Sequence, residues 1–85
     1  MSKLYIQPVT VQHGSGGQPF SFAWRGHWHL IERCYPVEVQ FRDHQFYRSM
    51  GLNPYADRYR CTTDDGIVCD LVQEQGTWLI ERVWD

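Results

Sequence analysis

Apolar and polar side chains alternate in short runs along this chain, and glycine-containing turns separate the runs. Alternation with a period of two marks a strand that buries one side. Residues 3–12 carry the pattern on Leu4, Ile6, Val9 and Val11, with Pro8 interrupting it, which predicts an edge strand or a bulge. Phe20, Phe22 and Trp24 share one side of a run that ends at Gly26. Residues 19–25 and 27–35 read as a hairpin about Arg25-Gly26, continuing past Pro36 into Val37, Val39 and Phe41 with a bulge or bend at the proline. The last third is a meander of strands over 58–63, 67–73 and 77–84. Trp78, Ile80 and Trp84 share one side of its final run, with Arg82 between them.

The register of the first meander turn follows from side-chain consistency. With Asp64-Asp65-Gly66 as the loop, Thr63 faces Ile67, Cys61 faces Cys69 and Tyr59 faces Leu71, so each pair lies on one apolar side. A two-residue Asp65-Gly66 loop would pair Cys61 with Asp70 and mix the faces. A one-residue slip reverses every side chain, so the three-residue loop with Gly66 left-handed is preferred. The turn at Gln75-Gly76 gives a similar signal without deciding its register.

These elements predict a single all-β domain over residues 1–85, a small antiparallel curled sheet or partly open barrel of five or six strands. The expected core is Phe20 or Phe22, Trp24, Leu30, Cys61, Cys69, Leu71 and Leu79. Residues 13–18 form a flexible Gly-rich loop. A phosphate-cradling reading of that loop lacks the following helix and the lysine it needs. Residues 42–57 are polar, with Gly51 and Asn53-Pro54 and no sustained period. They read as a long loop with one helical turn around 44–50, and a loop this long in so small a domain is usually functional or mobile.

Composition narrows the class. Four Trp, five Tyr and four Phe give the short chain large burial area per residue. No apolar run approaches the ~20 residues that span a bilayer, and the first residues lack a charged-then-apolar signal pattern. Three cysteines are an odd number, which favours reduced thiols over a secreted disulfide scaffold, so a cytoplasmic protein without a membrane partner is expected. Net charge is −2 but uneven: residues 1–60 hold seven Lys/Arg and four Asp/Glu, +3, whereas residues 61–85 hold one and six, −5.

No catalytic arrangement and no cofactor motif stands out. His27 and His29 fall on one side of a strand, ~7 Å apart along it, with Trp28 and Leu30 assigned to its inner face. Two imidazoles and a cysteine could hold zinc, which leaves a small metal-binding or enzymatic protein using His27, His29 and a cysteine as the alternative function. The ordinary reading is a solvated pair of histidines. Cys61 and Cys69, as cross-strand neighbours, read as small apolar side chains that could also join in a strained disulfide, and Cys34 lacks a cationic neighbour that would activate it. Asp70 and Glu81 read as solvent-facing acids on neighbouring strands.

Arginine interleaved with aromatics is the more informative cluster. Arg42, Phe46, Tyr47, Arg48, Tyr55, Arg58, Tyr59 and Arg60 combine rings that stack on bases with guanidinium groups that meet phosphates. The same residues also suit a protein interface. The expected function is therefore a non-enzymatic interaction module that binds a protein partner or single-stranded nucleic acid through Arg42, Tyr47, Arg48, Tyr55, Arg58 and Arg60. Trp78 and Trp84 add a second expectation. One small core cannot easily hold every aromatic side chain, and the last strand is expected to leave an edge unpaired, so a homodimer or docking patch is predicted around these two indoles.

Pro19-Phe20-Ser21-Phe22-Ala23-Trp24-Arg25-Gly26-His27-Trp28 resembles the opening P-x-x-F-x-W-R-G of a small bacterial protein family of unknown function. Thr77-Trp78-Leu79-Ile80-Glu81-Arg82-Val83-Trp84-Asp85 resembles that family's ending W-x-L-x-R-V-W-D, and Tyr59-Arg60-Cys61-Thr62 its central strand. The resemblance covers roughly residues 18–35 and 58–85 and brings no catalytic residues. Members of the family occur alone or near Y-family DNA polymerases of mutagenic repair, which implies a link to DNA repair by association alone.

Overall fold

The computed structural model describes residues 2–84. Six antiparallel strands, β1 (Ser2–His13), β2 (Pro19–Trp24), β3 (His27–Val37), β4 (Asp57–Thr63), β5 (Val68–Glu74) and β6 (Thr77–Trp84), close into a barrel in sequence order. The expected curled sheet is thus fully closed: β6 pairs with both β5 and β1, and the predicted free edge at the last strand does not exist. Closure rests on two long strands that change neighbours partway along. Ser2–Val9 of β1 pairs with β6 and Thr10–His13 with β2. His27–Leu30 of β3 pairs with β2 and Ile31–Val37 with β4. Pro8 and Pro36 each lie in a half-strand with only one ladder, where a missing N–H is tolerated.

The turns follow their residues. Arg25 and Gly26 (φ 54° and 80°) and Gln75 and Gly76 (φ 51° and 80°) make two-residue hairpins with both positions left-handed. The loop over 64–66 has Gly66 at φ 90°, and Cys61↔Cys69 and Tyr59↔Leu71 pair as the register argument requires. Thr63 N–H donates to Ile67 O at 2.9 Å and closes that loop.

The core comprises Phe22, Cys61, Cys69, Leu71, Trp78 and Ile80, with Tyr5, Val9, Val11, Trp24, Cys34, Tyr59 and Val83 among the half-buried residues against it. Phe22 rather than Phe20 is the buried phenyl, Phe20 being 43% exposed. Two bulges set which faces turn inward. In β3 the bulge falls at Glu32, between the pairs Ile31↔Thr63 and Arg33↔Thr62, and not at Pro36, which pairs regularly with Tyr59. His29 and Ile31 therefore turn inward, while Trp28 and Leu30 lie outside at 56% and 53% exposure. In β6 the ladder skips Glu81, because Asp70 pairs with Arg82 and Leu71 with Ile80. Trp78 and Ile80 point inward before the skip and Val83 after it. Leu79 is accordingly outside the core, and Trp84 lies on the opposite face from Trp78. Opposite the same skip, β1 is irregular between Leu4 and Gln7, with Ile6 at φ 50°, an unusual value for a β-branched residue.

The segment read as a long polar loop carries a 3₁₀ turn, Phe41–Asp43, and one short helix, α1 (His44–Ser49), close to the turn expected around 44–50. Its other half is not idle, since Leu52 and Pro54 are buried, as is Val39 just before it, which lies beyond the end of β3 at Val37 rather than on the continued strand. Val39, Leu52 and the β5 residue Val72 (1% exposed) belong to the buried set but not to the barrel core. The segment over 38–56 lies outside the barrel and acts as a strap that meets β4 at Arg58, through the Asn53 carbonyl and the Tyr47 ring.

Truncating a residue on the inner face should therefore cost far more than truncating its outward neighbour. Leu71→Ala is expected to lower unfolding stability by about 2–5 kcal/mol and Leu30→Ala by less than about 1 kcal/mol, both read from urea midpoints at constant slope.

Candidate functional site

Beneath the strap lies an ion pair. Arg58 Nε and Nη2 donate to Glu81 Oε1 and Oε2 at 2.9 and 2.8 Å, and Nη2 also donates to Asn53 O at 3.0 Å. The Tyr47 ring lies over the guanidinium at 5.0 Å. Both side chains are withdrawn from water, at 0% and 6% exposure. Burial alone would lower the Arg58 pKa, but the hydrogen bonds and charge of Glu81 outweigh it and leave the value above the usual arginine range. Glu81 reaches Arg58 because the skip in β6 frees it from the ladder.

The face not covered by the strap carries a second network. Arg60 Nε and Nη2 donate to Asp70 Oδ1 and Oδ2 at 2.8 and 3.2 Å, and Trp84 Nε1 donates to Asp70 Oδ1 at 3.2 Å. Arg60 and Arg82 lie 4.7 and 5.1 Å from the Trp84 ring, and Arg82 Nη1 donates to Ser2 Oγ at 3.2 Å. The hydrogen bonds to Asp70 raise the Arg60 pKa. Asp70 and Glu81 are thus buried and paired rather than solvent-facing.

The predicted binding residues separate into four places. Arg42, Arg48 and Tyr55 are exposed on the strap. Tyr47 and Arg58 form the strap's contact with the barrel, so Arg58 is unavailable to a phosphate. Arg60 and Trp84 stand on the open sheet face. Trp78 is 6% exposed inside the barrel, with Nε1 donating to His13 Nε2 at 3.3 Å, so the two indoles form no common patch. Two exposed phenyl groups join the strap surface: Phe41, which opens the 3₁₀ turn instead of continuing the strand, at 85% and Phe46 at 59%. Phe41, Arg42, His44, Gln45 and Arg48 line an open hollow of about 480 Å³ with no carboxylate among them. Arg48 Nη2 donates to Tyr55 Oη at 3.3 Å, and Tyr55 meets His44 edge-on at 4.8 Å. A second cleft, about 350 Å³, opens on the other side of His44 between the strap and the neighbouring ends of β3 and β4.

The alternative built on His27, His29 and a cysteine lacks the geometry. His29 packs on Phe22 at 5.1 Å and its Nδ1 meets Asp65 Oδ2 at 2.9 Å, while His27 is exposed. Among the described residues no three His, Cys, Asp or Glu side chains come together as metal ligands. The three cysteines are free and adjacent across β3, β4 and β5, with Cys61 Sγ 3.5 Å from Cys34 Sγ. Burial raises all three thiols, Cys69 to about 12, which keeps them protonated and poorly nucleophilic. No helix among the described residues is long and apolar enough to cross a membrane. No family model, no curated protein and no solved structure matches this chain.

Two measurements test these pairings. Glu81→Ala strands a buried guanidinium and is expected to destabilise the fold by about 3–5 kcal/mol, seen as a lower urea midpoint. The Asp65 carboxyl lies below the usual aspartate range, chiefly through the hydrogen bond from Thr63 and further through His29. A depressed folded pKa gives stability that is present above the unfolded value and is lost as pH falls through the folded one. Asp65→Asn should therefore flatten the acid limb of the stability profile below about pH 4.

Proposed function

We propose that this barrel is a non-enzymatic binding module that takes single-stranded nucleic acid on the outward surface of its strap. The observation that carries the reading is the hollow lined by Phe41, Arg42, His44 and Arg48, free of carboxylates and flanked by Tyr55. Such a mixture supplies ring faces for bases and guanidinium groups for phosphates, and tolerates many sequences. Net charge is −2, and the buried pairs Arg58–Glu81 and Arg60–Asp70 remove equal numbers of both signs, so the reading rests on the local surface, where Asp43 is the one carboxylate on the two helical turns. The family resemblance, with its polymerase association, points the same way.

A protein partner is the second reading, favoured by the exposure of Phe41 and Phe46 and of Trp28 and Leu30. Salt separates the two. Binding of a labelled oligo-dT strand, followed by anisotropy, should weaken steeply with salt. The double variant Arg42→Ala/Arg48→Ala should reduce the slope of log affinity against log salt by about 1.4, because each phosphate contact on a single strand contributes about 0.7. Absence of strand binding at low salt, with salt-insensitive capture of a purified protein instead, would select the second reading.

A further inference from the structure

Five arginines lie over aromatic rings: Arg25, Arg48, Arg58, Arg60 and Arg82. Four of them also donate hydrogen bonds, to Tyr55, Glu81, Asp70 and Ser2 respectively. Among the described residues the Arg25 guanidinium has no acceptor and no carboxylate partner. Its place is nevertheless fixed. It lies 4.6 Å from the Trp24 ring and 4.9 Å from the Tyr5 ring. Tyr5 meets Trp24 edge-on at 5.0 Å, and Trp24 Nε1 donates to Gln7 Oε1 at 2.9 Å.

A second cation stands beside it. Lys3 Nζ lies 5.3 Å from the same Tyr5 ring, so the two distances together put Lys3 and Arg25 at most about 10 Å apart. Among the described residues Lys3 has no carboxylate partner either. Both side chains are exposed, and charges this close still repel in physiological salt, where screening acts over about 8 Å. The fold makes the room. β1 pairs with β2 over Thr10–His13 only, so before Thr10 the two strands part and the side chains of Tyr5, Gln7 and Trp24 bridge the split. Arg25 precedes the start of β3, whereas the strap leaves β3 after Val37, at its other end. The split is thus separate from the strap surface and does not depend on the strand reading.

We propose that Arg25 and Lys3 form, at this split, a binding site for a phosphate monoester. The chemistry selects the class. A guanidinium fork matches phosphate or carboxylate, and a lysine adds a point charge. A carboxylate carries one charge, which the fork satisfies alone, and the second cation stays uncompensated. A phosphate monoester carries close to two negative charges above about pH 6 and offers three acceptor oxygens, so it meets both cations at once. Tyr5 and Trp24 hold the guanidinium before the ligand arrives, so less side-chain freedom is lost on binding.

The test titrates the full chain with methyl phosphate above about pH 6, where the monoester is a dianion. The readout is the NMR signal of the Trp24 indole N–H, with those of Trp78 and Trp84 as internal references. A saturable shift confined to Trp24 is expected. Dimethyl phosphate, a single-charged diester, should bind about tenfold or more weakly, as loss of a charge-assisted contact predicts. Lys3→Gln should bring the two esters to similar affinity. Arg25→Asn should abolish the response while keeping the urea midpoint, because asparagine suits the left-handed turn position that Arg25 occupies at φ 54°. The comparison of esters changes only the ligand and so cannot be confounded by unfolding. Equal affinity for the two esters, a response that survives in Arg25→Asn, or no saturable shift at Trp24 would each overturn the site, whether or not oligo-dT binds the strap. The source of the phosphate is read separately. Tighter binding of 5′-phosphorylated than of unphosphorylated oligo-dT, lost in Arg25→Asn, would assign the site to a strand end. Binding of methyl phosphate with no such difference would assign it to a free ester.

Discussion

The Arg58–Glu81 ion pair is the constraint on which the outer half of this molecule depends. It lies outside the barrel interior yet out of reach of water, and Asn53 and Tyr47 of the strap over 38–56 lie against its guanidinium. Desolvating two charges is expensive unless geometry and further hydrogen bonds compensate. Here a two-pronged contact, the Asn53 carbonyl and the Tyr47 ring supply the compensation. Two of these groups belong to the strap itself. Strap and ion pair therefore stabilise each other: without the strap the pair would be solvated and weak, and without the pair the strap would cover unmatched charge. Leu52, Val39 and Val72 are further apolar side chains buried apart from the barrel core.

This arrangement explains how one segment can be held in place and still present rings to solvent. Tyr47 and Leu52 face the barrel, whereas Phe41, Phe46 and Tyr55 do not. A surface built this way is ordered before a partner arrives, so less conformational entropy is lost on binding than with a free loop. It also separates roles that composition merges. Arginines two residues apart in β4, Arg58 and Arg60, serve a buried pair and a half-exposed network on the open face.

Strand positions, turn residues and the β4–β5 register were legible in the sequence because each rests on local rules. Glycine at left-handed positions marked the turns, and face consistency gave Cys61↔Cys69. That register also implied Arg60↔Asp70, so one ion pair could have been found beforehand. The bulges at Glu32 and Glu81 left no comparable signal. Each adds one residue to one strand and reverses the faces beyond it, so period-two reading put His29 outside and Trp84 with Trp78. Glu81 as partner of Arg58 depended on the second bulge and was hidden for the same reason. The strap was hidden because its apolar residues, Val39, Leu52 and Pro54, are too few and too widely spaced to show a period. The exposed Phe41 and Phe46 depend on where the strap docks, which is a tertiary fact.

The seam of the barrel has a consequence for how the chain reaches this structure. Four of the six ladders join consecutive strands through short connections, and β3–β4 joins them through the strap. The remaining ladder joins β1 to β6, with Ser2 against Trp84 and Val9 against Trp78. Bringing such distant segments together carries the largest loop-closure entropy in the molecule. The hairpins can form early and on their own, but the cylinder exists only once its first and last strands meet. Until that moment both strands present unpaired edges. The time spent with the seam open, more than the stability of the finished barrel, then governs how much of the chain is exposed to edge-to-edge association during folding.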